Sequence, residues 1–104
     1  RDVVTTPLRY NDRVSAWAQY GILLDDRDHI ATSLKAAGIP TAIYYPQPMH
    51  LQTAYRPYGE GEGSLPVSEM LSHRILHLPI HGYLTETDVD YIAGEVVRAV
   101  EGRQ

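Results

Sequence analysis

The chain has 104 residues, 43% hydrophobic and 21% charged, with a net charge of −4. That length and balance fit one folded domain and exclude a disordered tail. Nine basic residues against thirteen acidic ones leave no cationic face for nucleic acid, and the lack of cysteine excludes a disulfide framework or thiolate zinc site and fits a cytoplasmic protein.

The chain opens on Arg1 rather than Met, which reads as a piece of something longer or a processed product. No apolar run reaches membrane-spanning length, and no signal peptide is visible. Val3-Val4-Thr5-Thr6 looks extended, and Pro7 fixes a bend after it. From Ser15 to Leu24, Ala16, Ala18, Tyr20, Ile22 and Leu24 fall on one parity, the period of a strand with one apolar face. The period then changes. Asp25 or Asp26 is placed to cap a helix in which Ile30, Ala31, Leu34 and Ala37 share a face, and Gly38 is placed to stop it.

A second strand is predicted over 39–45, ended by Pro46, which lacks a ladder donor. Residues 46–64 are irregular, with one helical turn around His50–Tyr55 and a flexible, acidic, glycine-rich stretch after it. Ser64 is placed to cap a short helix with Pro66 in its first turn, carrying Val67, Met70, Leu71 and Arg74 at helical spacing. Residues 75–80 read as a third strand. Thr85 and Asp88 have capping-box spacing ahead of a stripe of Val89, Ile92, Ala93, Val96, Val97 and Val100, the clearest helix in the chain. The order β-α-β-(irregular)-α-β-α predicts an α+β fold, a small two-layer sandwich of about three strands with helices mainly on one face, filling residues 1–104 as a single domain.

Three patterns invite chemistry and do not support it. His73, His77 and His81 would align as metal ligands on one helix, but Pro79 interrupts it. On a strand, His77 and His81 would lie about 13 Å apart, too far for one ion. Lys35, the only lysine, lies off the apolar stripe near a helix C-terminus, where a solvated cation is favoured. The glycines of the acidic stretch lack a following Gly-Lys-Ser/Thr, and their acidic neighbours repel phosphate. No nucleophile elbow is present.

The segment Ile43–Tyr55 is different. The chain has eight tyrosines and no phenylalanine, and three of the tyrosines are here. Tyrosine fills a core while keeping a hydroxyl on a polar partner. On a strand, Tyr44 and Tyr45 would point to opposite faces. Pro46 and Pro48 would stiffen the exit and present His50 at low entropic cost. The prolines lack the P-x-x-P spacing of a peptide ligand. The residues alone leave two readings open, the edge of a binding site or ordinary packing.

The runs from Ala16 to Tyr55 and from Leu65 to Val96 closely resemble the C-terminal domain of DegT-type nucleotide-sugar aminotransferases, which are fold-type-I enzymes. The Gly-Ile-Pro-Thr to Tyr-Pro-x-Pro-x-His-x-Gln run and the Leu-Pro-x-His segment ending at His81 carry the resemblance, which extends from Ser15 to about Val97. It implies a longer chain whose missing N-terminal domain holds the Schiff-base lysine and most contacts to pyridoxal 5'-phosphate. No cofactor-binding or catalytic residue is then expected here, and the fragment alone should be inactive with no cofactor bound. The resemblance implies that Tyr44, Tyr45, His50 and Gln52 face the substrate, and that His81 is mainly structural. Relatives often carry His-Tyr where this chain has Tyr44-Tyr45. The implied partners are a keto nucleotide sugar, a UDP-linked 3-keto sugar or sugar acid used for surface polysaccharide, an amino donor such as glutamate, and a second subunit in a homodimer. A stand-alone, non-catalytic interaction module of the same ancestry is the alternative.

Overall fold

A computed structural model describes residues 4–102. Three antiparallel strands form one sheet in the order β1 (Val4–Thr5), β2 (Tyr20–Leu24), β3 (Ile75–Leu78). Three helices accompany them: α1 (Arg27–Ala36), α2 (Pro66–Arg74) and α3 (Glu86–Gly102). No helix among the described residues is long and apolar enough to cross a membrane.

Register decides which side chains meet. Ile22 pairs with Leu76, and Tyr20 with Leu78, so these project from one face of the sheet. That face, with Leu24, packs on Ile30 and Leu34 of α1 and Val96 and Val100 of α3 in a single buried cluster. Gly21, Leu23, Ile75 and His77 project from the opposite face.

The α+β sandwich is as expected, but two of its strands differ from the sequence reading. The strand predicted from Ser15 begins only at Tyr20, leaving Ala16 and Ala18 exposed outside the sheet. Trp17 has φ 50°, a left-handed conformation that stops the pleat, and its N–H donates to the Ser15 hydroxyl at 3.1 Å. The strand predicted over 39–45 is reduced to one bridge. Ala42 and His77 exchange N–H···O bonds of 3.1 and 2.8 Å, after which the chain leaves the sheet. The third strand is instead β1, in the stretch that only looked extended; Val3 lies outside the described residues.

The helix ends also divide. Thr85 and Asp88 form the expected capping box, with reciprocal bonds of 3.0 and 3.1 Å. Gly38 takes the left-handed position after α1, with φ 84°. Asp26 is the N-cap of α1 but makes no side-chain cap bond, and Asp25 instead pairs with Arg74 at 3.3 Å. Ser64 does not cap α2, whose N-cap is Leu65; its hydroxyl donates to the Gly61 carbonyl at 2.6 Å. The expected turn around His50–Tyr55 splits into short 3-10 turns at Met49–Leu51 and Arg56–Tyr58. On α3, Ile92, Val96 and Val100 face the core while Val89, Ala93 and Val97 stay exposed.

Candidate functional site

The site is built on the face of the sheet turned away from the core. Ile75 and His77 of β3 form its floor. Ser68, Leu71 and Ser72 of α2 make one wall, and the segment from Tyr44 to Gln52 makes the other. Together they enclose an open cleft of about 590 Å³.

Three of the four residues expected at the substrate line this cleft: Tyr44, Tyr45 and Gln52. The two tyrosines do not flank a strand. Their rings meet edge to face, 5.6 Å between centroids, and border the same cleft. Pleat alternation ends with the Ala42 bridge, so it does not separate them. The peptide bond between them is cis. Tyr45 is 68% exposed, an aromatic face open to solvent. Gln52 donates from Nε2 to the Gln47 carbonyl at 3.0 Å, closing the Pro-x-Pro loop on itself.

His50 does not line this cleft; it turns inward. It is buried, and its Nε2 sits 2.9 Å from the Glu69 carboxylate. Gly59 packs against its Cβ so closely that a side chain there would come within 3.1 Å. Glu69 also accepts from the N–H groups of Gly63 and Leu65 at 2.9 and 3.1 Å. One carboxylate thus ties the cleft wall, the glycine-rich stretch and the start of α2 together.

The His50 bond, followed by the Gly63 N–H, holds the Glu69 carboxyl below the usual glutamate range, against the opposing effect of partial burial. A carboxylate depressed in the folded state stabilises that state above its unfolded pKa. The contribution is lost as pH falls through the lowered folded value. The amide signals of Gly63 and Leu65 should therefore titrate together, with a midpoint below that of an ordinary glutamate. In Glu69→Gln that titration should vanish. Amides that stay still on acidification would contradict the tie.

Two further residues escaped the sequence reading. Arg27, buried in the first turn of α1, donates from Nη1 to the carbonyls of Ser72 and Ile75 at 2.8 and 3.0 Å. It therefore pins the α2–β3 junction beneath the cleft. Its cation opposes the dipole of its own helix but meets the carbonyl end of α2. His77, considered in the sequence only as a metal ligand, is a buried floor residue whose ring lies 4.8 Å from that of Tyr44. The signal for it is Gly21, its cross-strand neighbour, which is recognisable only once the register is known.

The remaining candidates lie apart. His73 is in the last turn of α2, and His81 beyond β3 accepts the Tyr83 N–H on Nδ1 at 3.2 Å. No group of three or more His, Cys, Asp or Glu able to hold a metal ion occurs among the described residues. Lys35 is exposed in the last turn of α1 and does not line the cleft.

Comparison with known proteins gives this architecture a family. Residues 1–97 match the DegT/DnrJ/EryC1/StrS aminotransferase family. Over 89 residues the chain is 35% identical to the UDP-2-acetamido-2-deoxy-3-oxo-D-glucuronate aminotransferase of Pseudomonas aeruginosa, covering 86% of this chain and 24% of that protein. The crystal structure of a DegT DnrJ EryC1 StrS aminotransferase from Brucella abortus is similar with a TM-score of 0.86 at 49% identity, covering 95% of this chain and 26% of that one. DesV of S. venezuelae, solved in complex with a ketimine intermediate, has a TM-score of 0.90 at 30% identity, covering 95% of this chain and 27% of that one. The chain thus spans about a quarter of the length of the curated relatives it matches. Through a match across nearly its whole length, it belongs to the DegT/DnrJ/EryC1/StrS aminotransferase family.

Proposed function

We propose that this chain is the C-terminal small domain of a cytoplasmic, homodimeric aminotransferase that uses pyridoxal phosphate to convert a keto nucleotide sugar into an amino sugar. The Pseudomonas aeruginosa relative acts, by its name, on a UDP-linked 3-oxo sugar acid, which supports a UDP-linked 3-keto sugar or sugar acid as the substrate here. Glutamate is the proposed amino donor. In this reading Tyr44, Tyr45 and Gln52 form the sugar-facing wall, and His50 supports that wall from behind through Glu69.

In this reading the Schiff-base lysine lies outside these residues. An internal Schiff base needs a desolvated lysine, and Lys35, the only one, is exposed. The observation that carries the reading is the open cleft bordered by Tyr44, Tyr45 and Gln52 on the outer face of the sheet. Exposed apolar side chains at Met49, Leu65 and Val67 support it, since they suit contact with further protein.

The test uses the full-length enzyme. Tyr45→Phe and His50→Ala should each raise KM for the keto sugar about tenfold, the scale of one lost hydrogen bond in a desolvated site. Cofactor absorbance and the half-reaction with the amino donor should be unchanged. Borohydride reduction of the cofactor-loaded protein should label a lysine outside these residues. Labelling at Lys35, or lost cofactor loading with sugar KM intact, would refute the assignment.

A further inference from the structure

His77 carries a hydrogen-bonding atom that the fold does not use. Its backbone N–H and C=O are both bonded to Ala42, and across β2 it is paired in register with Gly21. Its Nδ1 faces the Tyr44 N–H at a long 3.4 Å. In the tautomer this contact selects, the proton is on Nε2. No described residue supplies an acceptor to Nε2. His77 lines both the large cleft and a smaller one of about 340 Å³ on the Pro40–Ala42 side. Tyr44 borders the same two clefts, so this tilted pair of rings is the partition between them.

The position is prepared for this ring. Gly21 lies opposite His77 in the register. A Cβ there would come within 3.1 Å of His77 Nε2 and 2.9 Å of Ile75 Cδ1. Gly21 does not have the positive φ of Gly38, Gly61 and Gly63, so its lack of a side chain serves space rather than backbone conformation. A phenylalanine at 77 would keep the ring contact with Tyr44 but would lose the acceptor for the Tyr44 N–H and offer the clefts no donor. An imidazole with its outer nitrogen unused is instead suited to a ligand that brings an acceptor.

We infer that His77 is a sugar-contacting residue, donating its Nε2–H to a ring-substituent oxygen of a pyranose held against Tyr44 and Tyr45. Gly21 is the positioning residue that lets the imidazole lie there. This rests on the keto-sugar reading above and adds to it a contact made by the sheet rather than by the loop.

Four forms of the full-length enzyme test it: wild type, His77→Phe, His77→Gln and Gly21→Ala. His77→Phe should raise KM for the keto nucleotide sugar tenfold or more, leaving the amino-donor half-reaction and cofactor absorbance unchanged. His77→Gln, which retains an N–H near the position of Nε2, should recover most of that loss. Gly21→Ala should mimic His77→Phe, because its methyl displaces the ring while residue 77 stays histidine. The unchanged half-reaction reports folding in each variant. If His77→Phe does not fold, Gly21→Ala with a wild-type sugar KM overturns the inference. Sugar KM that responds to Tyr45→Phe but not to His77→Phe or Gly21→Ala overturns it and leaves the keto-sugar reading standing. A wild-type enzyme that aminates no keto nucleotide sugar removes both.

Discussion

Arg27→Met is expected to lower the stability of the chain by about 3 kcal/mol, read as a shift in the urea midpoint with unchanged slope. Methionine keeps most of the apolar stem, so lost packing is a small part of the effect. The loss comes from two charge-assisted bonds, to the carbonyls of Ser72 and Ile75, in a buried site where water does not readily replace them. The bond from Nε to Asp28 contributes little, because that carboxylate is 86% exposed. Arg27→Lys should recover less than half, since one ammonium does not reproduce the planar fork. The consequence reaches the cleft, because Ser72 and Ile75 line it. Loosening their junction should weaken sugar use in the full-length enzyme before it unfolds the domain. A midpoint within error of wild type would show that the two carbonyls are satisfied without Arg27.

Leu34→Ala should cost about 3–5 kcal/mol, a large part of the stability a domain this small possesses. Leu34 is fully buried where α1 meets the sheet and α3. Its isobutyl group leaves a cavity that the stiff β-branched neighbours Ile22, Ile30, Val96 and Val100 fill poorly. The melting temperature should fall by about 15–25 °C. Val97→Ala, on the exposed side of the α3 stripe whose inner side, Val96 and Val100, packs in the same core as Leu34, should change it by only a few degrees. An effect at Val97 as large as that at Leu34 would mean that the α3 stripe is buried on both sides.

The contrast between Val97 and its buried neighbours Val96 and Val100 shows how far a sequence pattern reaches. The stripe on α3 is legible because helical spacing is local, but it is wider than the surface this chain buries. Spacing says which residues share a face and nothing about what covers it. The site divides in the same way. The Tyr-Pro-x-Pro-x-His-x-Gln run singles out a stretch of chain in which Tyr44, Tyr45 and Gln52 meet at one cleft. The inward turn of His50 was not readable, because its partner Glu69 is nineteen residues away and on another element.

What the sequence determined by itself were the features made by neighbours along the chain. These are the Thr85–Asp88 box, the Gly38 stop, the alternation of Ile22 and Leu24, and the exposure of the only lysine. Each rests on backbone geometry within a few residues. Tertiary structure alone decided the strand pairing, and with it everything on the second face of the sheet. Pro40 and the bridge at Ala42 left one paired position where a strand was expected, and β1 joined the sheet instead. Only that register sets Gly21 across from His77 and puts the imidazole beside Tyr44. Pairing between distant segments is selected by the sum of all buried contacts, a quantity that no local window of residues contains.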